Sequence, residues 1–399
     1  MHNSQPNLTR LRPQLELIRP VHKTFEAVGG TISCRLIDSL AELDTLEHEW
    51  TRLGATSPTA SAPLRWSWVR EWWRLFHTPA RSLAVITVRR GSELIGVLPL
   101  YREKSSRGRV RAFFVSASTQ TEDSFYPEYT DILAAPHCAE ICGDAIAATI
   151  MRGEMGPVDE WFFGLARTDG PLATLVAPRI NSGFRIHVQT RHLAPQVDLR
   201  GGFETYLARC SASSRQQFRR LLKSFHQTAG ARFDIAMSPT DGDEIMLDLI
   251  AVHQHHWHAA GQPGAFSTPR RVEFHRSVVR HPDTSAVLAR LTVNGHTVSA
   301  LYGFIVGRTF EFYQSGTSRA DSPLKRPGIL SHLLLMEHLA TRGIERYDLL
   351  AGATPYKIQL STASRELTEL SLQRPTPRLV WAHALRTLRA TLASPRSTP

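Results

Sequence analysis

Apolar positions change their period along this chain in an order that recurs. TISCRLID (31–38) alternates apolar and polar residues and predicts a strand, whereas Leu40, Leu43, Leu46, Trp50 and Leu53 recur at helical spacing and close on Gly54. A second helix is predicted in APLRWSWVREWWRLFH (62–77). SLAVITVRRG (82–91) and SELIGVLPLYRE (92–103) alternate again about an Arg89-Arg90-Gly91-Ser92 turn that suits a hairpin. RVRAFFVSAS (109–118) adds a strand. A loop rich in acids and aromatics follows, TEDSFYPEYTDILAA (121–135), then a helix near 138–153 and a strand in VDEWFFGLA (158–166).

The second half repeats this order. ARFDIAMS (231–238) reads as a strand, and DGDEIMLDLIAVHQHHWHAAG (241–261) and TPRRVEFHRSVVRH (268–281) as helices. SAVLARLTVNG, HTVSALYGFIVGR and TFEFYQSG form a meander from 285 to 316 whose first turn is Asn294-Gly295, a strong hairpin pair. An amphipathic helix begins at Pro327 and stops at Gly343. RYDLLAG (346–352) and ELTELSLQR (366–374) complete the sheet. Between the halves, residues 196–230 supply a strand and a basic helix. Two copies of one mixed α/β (α+β) plan are therefore expected: domains at 31–195 and 196–374, after a flexible basic arm (1–30) and before a basic tail (375–399).

Composition narrows the class. An apolar share of 42% and a charged share of 21% over 399 residues are those of a globular protein. No apolar run reaches membrane-spanning length and the first twenty residues hold no signal-peptide core, so no stable membrane insertion and a cytoplasmic location are expected. The net charge of +11 invites an anionic partner, but much of it sits in the two ends. Cys34, Cys138, Cys142 and Cys210 fit no disulfide framework and read as reduced structural thiols. HQHHWH (253–258) lacks the glutamate of a zinc-protease helix, and no metal is expected; His255 or His258 is instead a candidate cleft-facing base.

Other residues stand out by position. GATPYKIQL (352–360) places Tyr356 and Lys357 where the chain leaves a core strand. Glu311, Tyr313 and Ser315 alternate on TFEFYQSG and share a face, which makes Glu311 a candidate carboxylate base on a lined cleft. Asp348 is a candidate for the same cleft. Arg215, Arg219, Arg220 and Lys223 form a basic stripe on the linking helix, suited to phosphate or to a solvated face.

The order of elements resembles the acetyltransferase fold of the GNAT superfamily, present here as two acyl-CoA N-acyltransferase (GNAT-like) domains in tandem. LRWSWVREWWRLF, SSRQQFRRLLKSF, YQSGTSRADSPLKRPGILSHLLLMEHLATRG and YDLLAGATPYK carry a closer resemblance to the CelD/BcsL (BioF2-like) type, related to the FemAB transferases. In that branch the last motif usually has two acids before Pro-Tyr-Lys. Here Ala353 and Thr354 stand in their place, so a carboxylate is missing.

The resemblance implies an acyltransferase using acetyl-CoA or another acyl-CoA, in polysaccharide or cell-envelope biosynthesis. Carrier phosphates would lie over Lys325, Arg326, Gly328 and Ile329, at the start of the helix after the meander. Backbone N–H groups at Ser315 and Gly316 would hold the thioester oxygen, and Tyr356 would protonate the leaving thiolate. Glu311 or His255 would be the base. Tyr313, Asp348, Gly352, Lys357, Arg215 and Arg219 would meet the substrate, a small sugar or amine. FemAB relatives draw an aminoacyl group from tRNA; a small carrier is expected here instead, and a non-catalytic binding module is the remaining alternative. All of this requires the strands at 313–316 and 348–352 to part.

Overall fold

The computed structural model describes residues 23–27, 30–180, 184–318 and 322–374. The expected arm up to residue 22 and the tail from 375 lie outside the described residues. Within the expected arm, Lys23–Ala27 pairs antiparallel with the strand Gly30–Ile37.

The duplicated plan is present. The N-terminal lobe runs from that strand through helices Leu40–Thr45, Glu47–Thr56 and Trp66–Phe76, a set of short strands, helix Ala139–Met151 and strand Glu160–Arg167. In the C-terminal lobe, strand Ala231–Ile235 leads to helices Pro239–Ala259 and Pro269–Arg280. Strands Ala286–Val293, His296–Val306 and Thr309–Thr317 follow, then helix Pro327–Thr341, strand Arg346–Asp348, helix Pro355–Leu360 and strand Ala363–Gln373.

Pairing departs from two self-contained sheets. A 12-stranded sheet runs through both lobes, and a second sheet of five strands belongs to the N-terminal lobe. The join is the long strand Arg185–Asp198, which crosses the expected boundary at 195 and 196. It pairs with Arg346–Asp348 on one side and with Ala363–Gln373 on the other; the latter also pairs with Glu160–Arg167. The run expected as one strand from 92 to 103 is also divided. Glu93–Leu98 belongs to the small sheet and Leu100–Lys104 to the large one, with Pro99 between them. Proline has no N–H for a ladder, so the chain changes sheets there.

Strand alternation gives the C-terminal part of the sheet two different faces. Leu288, Ala300, Tyr302 and Phe304 point towards helices Pro239–Ala259 and Pro269–Arg280 and join the core of the N-terminal lobe. Ala289, Leu301, Phe310 and Phe312 point the other way, onto Phe218 of helix Ala212–Gln227 and Leu330 of helix Pro327–Thr341.

Helix Trp66–Phe76 wedges the lobes together. Trp68 meets Phe274 and Tyr313 of the C-terminal lobe edge-on, at 4.9 and 5.4 Å between centroids. Buried indole N–H groups need acceptors. Trp66 donates to the Leu43 carbonyl, Trp68 to Ser116 Oγ and Trp72 to the Asp123 carbonyl. Truncating a ring buried in this way costs about 3–5 kcal/mol, so the tryptophan-rich helix holds the lobes in fixed relation.

Candidate active site

The site begins where two strands stop pairing. Thr309–Thr317 and Arg346–Asp348 run parallel and pair at Thr309 with Arg346, Phe310 with Tyr347 and Glu311 with Asp348; the register then ends. On its other edge the Thr309–Thr317 strand is bulged, with Tyr302 opposite Gln314 and Gly303 opposite Phe312, so Tyr313 is the extra residue. Beyond Glu311 the strand edge has lost its neighbour, and its backbone groups border an opening. Gly316 allows helix Pro239–Ala259 to lie against this strand: a Cβ there would sit 2.5 Å from Val252 Cγ2 and 2.7 Å from the His253 nitrogen.

A cavity of about 500 Å³ occupies the opening. Its wall includes Glu311, Tyr313, Ser315, Gly316, Tyr356 and Lys357 from the C-terminal lobe and Phe125–Glu128 from the N-terminal lobe. The sequence-based expectations thus converge in part. The phenol of Tyr356 is half-buried, its ring stacks on His332 at 5.7 Å, and burial raises its pKa to about 12. It therefore stays protonated at neutral pH. Lys357 Nζ donates to the Ala351 carbonyl at 2.8 Å; burial lowers its pKa while Glu128 and Asp348 oppose that shift.

Glu311 lies on the cavity wall, but its Oε2 accepts the Ala62 N–H at 2.9 Å, tying it to the other lobe. Burial raises its pKa to about 7. Asp348 is enclosed outside the cavity: Tyr129 Oη and Gln196 Nε2 each donate to Oδ2 at 2.6 Å, and the Leu350 N–H donates to Oδ1 at 2.8 Å. Gly352 is exposed and uses a left-handed φ of 97° to turn the chain rather than to line the wall.

His255 is exposed outside the cavity, as is His258. The histidines that line it are His253 and His256, because the helix turns the intervening residues outward. His253 is fully engaged. Its Nε2 accepts the Ala265 N–H at 3.0 Å, so its Nδ1 carries the proton and donates to the Ser315 carbonyl at 2.7 Å. Burial lowers its pKa, and it is neutral.

Lys325 and Arg326 are exposed at the start of helix Pro327–Thr341, and no side chain caps its first turn. Gly328 brings that turn close to the parted strand, since a Cβ there would lie 3.1 Å from Thr317 Oγ1; Ile329 is buried beneath. Arg326 donates to Gln359 Oε1 at 2.9 Å, and Gln359 donates to Gln217 Oε1 at 2.6 Å, which links this end to the basic helix. On that helix Arg215 donates to the Ala208 carbonyl and Arg219 pairs with Glu204 at 3.2 Å, so neither lines the cavity. Arg220 and Lys223 are exposed beside them.

The residue that sequence reasoning missed is Glu128. It reaches in from the N-terminal lobe, and its Oε2 accepts the Ala351 N–H at 2.5 Å. Burial raises its pKa to about 7, against the opposing pull of that N–H and of Lys357. A carboxylate therefore stands beside the segment where Ala353 and Thr354 replace the acids of the resembled family. The acid-rich, aromatic loop at 121–135 was the available signal, because surface loops on a rigid scaffold often carry function. Nothing local in the sequence connects position 128 with position 351.

Residues 212–358 match the family model described as Acetyltransferase (GNAT) domain. The chain is similar to the crystal structure of FemX, with a TM-score of 0.60, 10% identity, and coverage of 84% of this chain and 97% of that one. It is also similar to the C-terminal domain of a putative lysylphosphatidylglycerol synthetase from Agrobacterium fabrum, with a TM-score of 0.52, 14% identity, and coverage of 89% and 97%. At such identities the likeness concerns the fold: mixed α/β, with two GNAT-like lobes. A search of curated proteins found no match. Among the described residues, no cluster of metal-binding side chains is present and no helix is long and apolar enough to cross a membrane.

Proposed function

We propose that the protein is an acyltransferase that moves an acyl group, in the first instance acetyl from acetyl-CoA, onto an amine or hydroxyl of a small acceptor. The observation that carries this reading is the parting of strands Thr309–Thr317 and Arg346–Asp348 beside the carboxyl groups of Glu128 and Glu311 and the phenol of Tyr356. In this reading the carrier approaches from the face of helix Pro327–Thr341, where Lys325, Arg326 and the uncapped first turn favour phosphate. The acceptor approaches from the face of helix Pro239–Ala259. Acceptor nitrogen or oxygen attacks the thioester carbon and gives up one proton to the Glu128 carboxylate. Backbone N–H groups near Ser315 and Gly316 hold the carbonyl oxygen as it gains charge. The carbon–sulfur bond then breaks, and the thiolate takes the Tyr356 proton.

The carbon and sulfur balances close in this step, and the proton balance closes when the Tyr356 phenolate regains the proton held by Glu128. Replacing Tyr356 by Phe keeps the stacked ring and removes the proton. The expected result is a fall in kcat of about a hundredfold with acetyl-CoA affinity unchanged. An unchanged kcat, or loss of affinity instead, would remove the acid role.

A second reading replaces the thioester by the ester of an aminoacyl-tRNA. It is favoured by the FemX-like fold and by the continuity of Arg326, through Gln359 and Gln217, with the basic helix. A salt-sensitive gel shift with charged tRNA, together with no thiol release from acetyl-CoA, would select it. Pathway assignment to polysaccharide or cell-envelope synthesis remains part of the proposal and rests on the sequence resemblance alone.

A further inference from the structure

Two large aromatic side chains stand in water at the cavity where apolar surface is ordinarily covered. Tyr126 is 66% exposed and Trp257 is 39% exposed. Both line the same opening, Tyr126 from the N-terminal lobe and Trp257 from helix Pro239–Ala259. Tyr126 has a φ of 46°, a left-handed conformation that bulky residues rarely adopt, between buried Phe125 and Pro127. Trp257 is braced edge-on by His256 at 5.8 Å. Neither the Tyr126 hydroxyl nor the Trp257 indole N–H has a hydrogen-bond partner among the described residues. Exposed, oriented rings of this kind offer an apolar face together with a polar edge.

The polar part of the wall narrows the choice of ligand. Glu128, His256 and Gln314 add donors and acceptors to the same wall. The two cations on this wall, Arg271 and Lys357, are each anchored to backbone carbonyls. Arg271 Nε donates to the Ala265 carbonyl, its Nη1 donates to the carbonyls of Thr121, Glu122 and Ser124, and Lys357 is held by Ala351. A saturated ring with C–H groups on its faces and hydroxyls around its edge matches both features.

We propose that Tyr126 and Trp257 form an acceptor subsite for a pyranose ring, whose apolar face stacks on the aromatic rings while its edge hydroxyls bond to the polar wall. This deepens the acyltransferase reading and rests on it only for the acceptor's role. An amino group on such a ring would then point down towards Glu128.

Saturation-transfer NMR on the full chain tests the subsite directly, with glucosamine as ligand and open-chain glucamine as a comparator that has similar hydroxyls but no ring face. The expected result is saturation of the pyranose ring protons and little for glucamine. In acetyl-transfer assays, Trp257→Ala should raise KM for glucosamine about tenfold with kcat nearly unchanged, whereas Trp257→Phe should retain most of the affinity. Equal signals for the two ligands, or ring saturation that survives both Trp257→Ala and Tyr126→Ala, would overturn the subsite. Ring saturation that Trp257→Ala abolishes, in a protein that transfers no acetyl group, would support the subsite while rejecting the donor reading. Saturation by adenosine in place of glucosamine would overturn it in favour of a stacked base.

Discussion

In the proposed mechanism Glu128 is the base. Burial lifts its pKa to about 7, from an ordinary 4.5. As a base it must be unprotonated, so kcat/KM should rise with pH and level off above about 7. Glu128→Gln should remove that limb and lower the plateau by about a hundredfold. The same shift has a stability consequence of defined sign. A carboxyl whose folded pKa exceeds its unfolded one contributes stability that is complete below about 4.5 and is lost as pH rises through about 7. The Gln variant should therefore melt higher than the parent at pH 8 and show no such gain at pH 4.5. A parent profile flat between pH 6 and 8, or a variant that keeps the limb, would contradict the role. The place of Tyr356 on the cavity wall was legible in sequence because its motif is local; that of Glu128 was not, since 223 residues separate it from the N–H it accepts.

At the scale of elements, the strand Thr309–Thr317 shows what periodicity conveys. Alternation put Glu311, Tyr313 and Ser315 on one face; Glu311 and Tyr313 do face the N-terminal lobe, whereas the bulge turns Ser315, which pairs with Leu301, to the other face. Asn294-Gly295 marked the turn between paired Val293 and His296. The bulge at Tyr313 was invisible because it depends on two residues opposing one, a property of the pair rather than of either strand. The helix Pro355–Leu360 also escaped notice, although Pro355 suits its first turn. Gly316 tests how closely the strand must approach helix Pro239–Ala259. Gly316→Ala should cost about 1–3 kcal/mol, because Val252 and the His253 backbone must move. Gly54→Ala, where a Cβ meets nothing within 4 Å inside a helix, should gain about 0.5–1 kcal/mol. Equal melting temperatures for the two variants would show that the contact at Gly316 is slack.

Over the whole molecule, duplication was legible from the repeated order of periods, whereas the shared sheet was not. Periodicity identifies a strand's faces but not its neighbours, so Arg185–Asp198 and Ala363–Gln373 gave no sign that they join both lobes. This joining fixes the loop that carries Tyr126 and Glu128 against the opened strands and gives the cavity walls from both halves. The long-range arrangement also separates two approaches. Exposed Lys325 and Arg326 belong to one face of the sheet, and the aromatic rim to the other. Calorimetric titration of the full chain with acetyl-CoA tests this arrangement most directly. Saturable binding of one molecule per chain is expected, weakened about tenfold or more when Lys325 and Arg326 are both replaced by Ala. No heat at millimolar acetyl-CoA, or binding indifferent to that double substitution, would contradict it.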